Sequence, residues 1–174
     1  MERLETERLV LRRPRHDDAP AIFERYASDP EVTRYLSWRR HHSVEDSEVF
    51  VGFSDSEWQR WGCGPYLAFS RDDGALLGST GLAFESPLVA STGYVFARDA
   101  WGHGYATESL LAMIDVARRL RVRRLYAICH VNHRASARVM EKGGLAPEGV
   151  LRRHTVFPNI APIACDVLSY GVAL

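Results

Sequence analysis

The sequence predicts an α/β chain of the α+β kind: a mixed, largely antiparallel twisted sheet flanked by helices, with one βαβ unit at its centre. Three observations predict it. Asp72-Asp73-Gly74 separates two apolar runs, 66–71 and 76–84, as a hairpin turn does. Gly102 and Gly104 separate an apolar run, 92–97, from a long amphipathic stretch, 105–120. Another apolar run, 124–130, follows that stretch closely enough to return beside the first.

The elements follow in order. Residues 6–13 alternate, with Leu9 and Leu11 on one face, and Pro14 stops them as a strand. Asp17 or Asp18 is expected to cap a helix carrying Ile22, Phe23 and Tyr26, which Asp29-Pro30 ends. A short helical turn is expected over 31–36. Ser43-Val-Glu-Asp46 has the form of a capping box, with a helix behind it to about Trp61 and Phe50, Phe53, Trp58 and Trp61 as its apolar contacts. In 105–120, Ala106, Leu110, Met113, Ile114 and Ala117 recur at the helical period. A short helix, 135–142, stops at Gly143-Gly144. Strands 150–157 and 164–172 close the chain. No repeat or linker interrupts residues 1–174, so one domain is expected.

Composition removes several function classes. Lys plus Arg and Asp plus Glu balance at 22 each, which argues against a general nucleic-acid binder. No apolar run approaches 18 residues, so no membrane span is expected. The charged start, Met-Glu-Arg-Leu-Glu-Thr-Glu-Arg, lacks a signal-peptide core. Three scattered cysteines, Cys63, Cys129 and Cys165, suit a reducing compartment, and a cytoplasmic protein is expected. The arginine run from Arg118 to Arg124 reads as a solvated face at a helix end.

The stretch from Arg98 to Glu108 carries the chemistry. Its glycines allow close backbone approach, and the helix behind it begins with unpartnered N–H groups at the positive end of the dipole. Together these suit a phosphate or pyrophosphate, or they make only a tight turn. A dinucleotide fingerprint would need a third glycine where Thr107 stands. A P-loop would need a lysine, and none is near. Gly78-Ser-Thr-Gly81 lacks the spacing of a nucleophile elbow. Cys129, His130 and His133 lack the second half of a structural zinc site, and no metal is expected.

Trp101-Gly-His-Gly104-Tyr-Ala106-Thr-Glu108 resembles the acyl-CoA-binding motif of the GNAT superfamily of N-acetyltransferases, in its RimJ/RimL-type branch. That superfamily writes Gln/Arg-x-x-Gly-x-Gly/Ala, and the branch commonly begins it with Trp. His133-Arg-Ala-Ser136, followed by Glu141-Lys-Gly-Gly144-Leu, resembles the branch's Asn-x-x-Ser and Glu-Lys-x-Gly-Phe. The opening Leu4-Glu-Thr-Glu-Arg-Leu-Val-Leu-Arg12, Asp29-Pro-Glu-Val32 and residues 166–170 also match. The resemblance covers nearly the whole chain. Two departures stand out: His133 replaces the branch's asparagine, with Asn132 one residue early, and Ser91-Thr92 precede Gly93-Tyr94 where many relatives carry glutamate.

The resemblance implies acetyl transfer from acetyl-CoA to an amine, either a peptide N-terminus or a small molecule. Gly102, His103, Gly104, Tyr105, Ala106 and Thr107 would hold the diphosphate beside Trp101. Main-chain groups of Phe96 and Ala97 would receive the pantetheine arm, with His133 or Asn132 supplying the asparagine's contact. Ser136 would hydrogen-bond the departing thiolate, unless it only caps its helix. The chain shows no obvious base. His154 is the first candidate because histidine titrates near neutrality, with Glu85 or Tyr94 as alternative ends of a water relay. Transfer of another acyl group, a small-molecule resistance activity and a non-catalytic acyl-CoA sensor stay open. Segments 31–42 and 154–163 are expected to shape the acceptor pocket. Oligomeric state is not legible in the sequence.

Overall fold

The computed structural model describes residues 1–174. Its centre is one eight-stranded sheet of order β1-β2-β3-β4-β5-β6-β8-β7. The strands are β1 (Arg3–Glu5), β2 (Leu9–Arg12), β3 (Pro65–Ser70), β4 (Leu76–Ser86), β5 (Val89–Phe96), β6 (Arg124–His130), β7 (Ala146–Val156) and β8 (Ala164–Ala173). All neighbours are antiparallel except β5 and β6. The expected α/β sheet and its central βαβ unit are both present.

The two faces of the sheet bury different helices. Tyr66 and Ala68 of β3 pack in the cluster that holds Leu110, Met113, Ile114 and Ala117 of α4 (Tyr105–Arg119) and Met140 of α5 (Arg134–Lys142). Leu67, one residue out of phase on the same strand, packs with Ile22, Tyr26, Val32 and Val51 on the other face. Those residues come from α1 (Ala19–Ile22) and the π-helical turn Phe23–Ala27 that continues it, α2 (Pro30–Thr33) and α3 (Val44–Trp61). The stripe predicted on α4 is the buried one, with Leu110, Met113 and Ala117 fully buried. Each such leucine or methionine contributes about 1.5–3 kcal/mol through apolar burial.

Four expectations are corrected. The strand expected over 6–13 is shorter, Leu9–Arg12, and is half of a hairpin with Arg3–Glu5: the Thr6 hydroxyl accepts from the Leu9 amide at 3.0 Å and turns the chain between β1 and β2. Neither aspartate caps α1 by its side chain. Instead Asp18 reaches back to the Arg15 amide at 2.7 Å and pairs with Arg12. On α3 the capping box of Ser43 and Asp46 forms, but Val51 is buried and Phe53 is 55% exposed, because the inward stripe runs Ser47, Val51, Ser54, Trp58. Strand β7 begins at Ala146, four residues earlier than its apolar run, because Ala146 pairs with Gly171 across two register shifts.

The parallel pairing of β5 with β6 is short. Val89, Ala90 and Ser91 pair with Arg124, Leu125 and Tyr126, and then the strands part. Each keeps its outer partner, β5 with β4 to Phe96 and β6 with β8 to His130. The result is a V-shaped opening in the middle of the sheet, with α4 entering at one side and α5 at the other.

Candidate active site

The turn before α4 is built to leave its amides free. A 3-10 turn, Arg98–Ala100, leads into Gly102 (φ 79°) and Gly104 (φ 84°), both in the left-handed region that glycine adopts without strain. The N–H groups of residues 102–107 donate to nothing in the protein; the first helical bond is Glu108 N–H to the Gly104 carbonyl at 3.0 Å. They stand at the positive end of a 15-residue helix. A run of unpartnered donors with no side chain at Gly102 or Gly104 fits a diphosphate.

The loop is held from behind. The Arg8 guanidinium donates to the His103 carbonyl at 2.8 Å and pairs with Glu108 at 2.7 Å. Glu108 also accepts from the Thr6 hydroxyl at 2.5 Å and the Arg8 amide at 2.8 Å. Burial pushes the Glu108 carboxyl up, but the hydrogen bonds from Thr6 and Arg8 and the Arg8 charge outweigh it and hold the group below the ordinary range. The His103 ring stacks on Tyr105 at 5.8 Å, and Arg8 lies 4.9 Å over the Tyr105 ring. Ahead of the loop, Arg98 pairs with Asp29, the N-cap of α2, and Arg25 pairs with Asp99.

The opened edge of β5 presents only alternate residues. The Ala97 amide donates to the Leu77 carbonyl at 2.8 Å, and its own carbonyl accepts from Ala100 at 2.9 Å. Both groups of Ala97 are therefore engaged, and its side chain is buried. By the two-residue alternation, Phe96 and Tyr94 turn their main chain away from β4 and into the opening. The Phe96 carbonyl accepts the Trp101 indole N–H at 2.8 Å, so Trp101 caps the strand end while half of its surface faces solvent. Tyr94, not Ala97, is the companion of Phe96 on that edge.

Across the opening, Tyr94 meets α5. Its hydroxyl lies 2.9 Å from the Ser136 hydroxyl and donates to the Ser136 carbonyl at 3.1 Å. Burial raises the Tyr94 phenol well above its ordinary value, so it stays protonated and able to donate. Cys129, at the end of β6, lies beside the same serine; burial pushes its thiol up to about 11 against the Ser136 hydrogen bond. At neutral pH it is a thiol and a poor nucleophile.

An aromatic and imidazole wall closes the far side. Tyr35, in the loop after α2, stacks on His133 at 4.6 Å and lies 5.2 Å from His130. His130 in turn meets the edge of Phe157 at 5.2 Å. Asn159 ties the two segments expected to shape the acceptor pocket. Its amide donates to the Thr33 and Trp38 carbonyls at 2.8 and 2.9 Å, and its oxygen accepts from the Arg40 amide at 2.9 Å.

The structure thus brings Phe96, Trp101, the 102–107 loop, His133 and Ser136 around one opening. Ala106 and Thr107 are half-buried in the first turn of α4, and Asn132 is exposed, its main-chain N–H donating to His130 Nδ1 at 3.1 Å. His154 is exposed on β7 with Nδ1 2.8 Å from the Thr155 hydroxyl, and it makes no hydrogen bond to the residues around the opening. Glu85 is at the opposite end of the β4–β5 pair, hydrogen-bonded to Tyr126, which removes it from any relay here. Tyr35 and the Thr6–Arg8 brace carry no mark in the sequence, whose close spacing of Cys129, His130 and His133 suggests only a metal site and not this wall. They converge through register and packing.

Residues 8–146 match the acetyltransferase (GNAT) domain. The chain is 30% identical to the uncharacterized N-acetyltransferase YoaA of Bacillus subtilis, covering 95% of this chain and 94% of that protein. Its fold matches the ribosomal-protein α-N-acetyltransferase RimL solved with coenzyme A, with a TM-score of 0.87 at 23% identity, covering 99% of this chain and 98% of RimL. It also matches a Salmonella typhimurium acetyltransferase described as modifying the N-terminal serine of a ribosomal protein, with a TM-score of 0.84 at 22% identity, covering 97% and 96% of the two chains. The chain belongs to the GNAT acetyltransferase family and is an acetyl-transferring enzyme.

Proposed function

We propose that the protein transfers the acetyl group of acetyl-CoA to the α-amine of a peptide or protein N-terminus. The observation that carries the choice of acceptor is the makeup of the far wall, where Tyr35, His130, His133 and Phe157 meet with no carboxylate among them. Such a wall places little charge beside an incoming lysine ammonium. An α-amine with a pKa near 7.8 is already neutral in about one molecule in seven at pH 7, whereas a lysine side chain is neutral in about one in 2,500. A site without a carboxylate base therefore favours the α-amine. The RimL-type neighbours, which act on ribosomal-protein N-termini, support the same reading.

Acetyl-CoA supplies an activated thioester and a diphosphate. The free amides of residues 102–107 bind the diphosphate. The inward main-chain groups of Phe96 and Tyr94 align the arm, and an N–H there stabilises negative charge developing on the carbonyl oxygen. Ser136 donates to the departing sulfur, and Tyr94 supports Ser136 from behind. Direct transfer suits a site whose neighbouring cysteine, Cys129, is held as a thiol by burial.

The test is thiol release from acetyl-CoA with three acceptors: a peptide with a free N-terminal serine, an N-blocked peptide carrying lysine, and a small diamine. The serine peptide is expected to react fastest by at least tenfold. Faster turnover of the lysine peptide or the diamine rules this acceptor out.

A further inference from the structure

We propose that His133 is the proton acceptor for the attacking amine, a role that rests on the transferase reading above. Its ring is fixed by stacking on Tyr35 at 4.6 Å and 19°. None of the protein's hydrogen bonds involves a ring nitrogen of His133; its only polar contacts are main-chain, its amide to the His130 carbonyl at 2.8 Å and its carbonyl from Ala137 at 3.2 Å. His133 is the N-cap of α5 and precedes Ser136 by about one turn, so a base and the thiolate's donor are offered from one helix end.

The neighbouring histidine is excluded by its own hydrogen bond. His130 Nδ1 accepts the main-chain N–H of Asn132 at 3.1 Å, which puts the neutral ring's proton on Nε2. His130 is therefore a donor toward the wall, and only His133 has a nitrogen lone pair to spare.

The surroundings keep His133 neutral. The titratable and charged groups about it are Tyr35 with Arg34 over its ring from the loop after α2, His130 from β6 and Arg134 from α5. None is a carboxylate. Burial first, and then repulsion from His130 whenever that ring is protonated, lower its pKa below the ordinary imidazole value. The positive end of α5 acts in the same direction. An imidazole neutral at pH 7 is a base in its working form.

In the step this assigns, the amine nitrogen bonds to the thioester carbonyl carbon and its proton passes to His133. The carbon–sulfur bond breaks with its electron pair on sulfur, where Ser136 donates. The proton held by His133 returns through solvent to the thiolate, which leaves an amide, a free thiol and a neutral imidazole.

The test is the pH dependence of kcat/KM for wild type and His133→Asn, using whichever amine of the three-acceptor panel reacts, with acetyl-CoA affinity measured by calorimetry. Wild type should fall with a slope of two in log kcat/KM below the His133 pKa, one for the imidazole and one for the amine. His133→Asn should lose about 100-fold in kcat, keep a slope of one and bind acetyl-CoA within about threefold. Imidazole added to His133→Ala should restore part of the rate. A slope and kcat unchanged in His133→Asn overturn the assignment, as does a tenfold loss of acetyl-CoA affinity with kcat retained, which would make His133 an arm contact. Failure of the serine peptide alone overturns the acceptor reading and leaves this test standing on the amine that does react.

Discussion

Arg8 and Glu108 form an ion pair of 2.7 Å across 100 residues of sequence, and the same guanidinium holds the His103 carbonyl at 2.8 Å. The pair fixes which way the glycine loop faces. With the His103 carbonyl turned back toward β2, the N–H groups of 102–107 turn outward together. The strand hairpin at the start of the chain thus braces the glycine loop from behind.

Breaking that brace should weaken binding of acetyl-CoA more than chemistry. Arg8→Ala and Glu108→Gln are each expected to raise KM for acetyl-CoA about tenfold while kcat changes less than threefold, read from initial rates at fixed acceptor. The Glu108 carboxyl titrates lower in the folded protein than unfolded, so its contribution to stability is present above the ordinary carboxylate pKa of about 4.3 and is lost as pH falls through the folded value. Thermal denaturation from pH 7 to pH 3 should show a smaller acid-induced loss for Glu108→Gln than for wild type.

Gly104→Ala places a Cβ at φ 84°, which costs about 1–2 kcal/mol. We expect a lower Tm by a few degrees and a KM for acetyl-CoA raised more than tenfold, because relief of the strain rotates amides out of the row. A variant with unchanged affinity would show that the loop does not bind through its main chain.

Ser136→Ala is expected to lower kcat about 10–100-fold with KM for both substrates nearly unchanged, and Tyr94→Phe by a smaller factor in the same direction. Cys129→Ala should keep kcat within about threefold, and initial-velocity lines should intersect as in direct transfer. Parallel lines, or an acetylated protein isolated without acceptor, would point to a covalent step.

Asn159 joins 33–40 to the turn after β7 by three hydrogen bonds. Asn159→Ala leaves two carbonyls and an amide without that partner and is expected to cost about 1–3 kcal/mol, seen as a lower urea midpoint. Its kinetic mark should be a raised KM for the acceptor with KM for acetyl-CoA unchanged.

The candidate donor half is the part of the site legible in the sequence, because its signals are local. Glycines at 102 and 104 precede α4, the apolar stripe from Leu110 to Ala117 lies on it, and Ser136 lies on α5 ahead of Gly143-Gly144. The rest depends on pairing that no spacing records. Ala97 is expected to serve the arm, yet register with Leu77 engages its amide, and Tyr94 shares the free edge with Phe96. The β1–β2 turn has no glycine or proline, only a Thr6 hydroxyl acting as the turn's acceptor, so nothing in the sequence separates β1 from the strand expected over 6–13. His154 was favoured on its chemistry, whereas Tyr35 and His130 identify the neighbourhood of His133 only after three distant segments pack together.

One measurement bears most directly on transfer to an α-amine. A peptide beginning with serine and carrying one internal lysine is incubated with enzyme and acetyl-CoA, and the acetyl group is located by fragmentation mass spectrometry while thiol is counted. Transfer to an α-amine predicts a single acetyl group on the serine α-amine and one thiol released per acetyl. Acetyl on the lysine side chain, or binding of acetyl-CoA with no transfer to either amine, would contradict it.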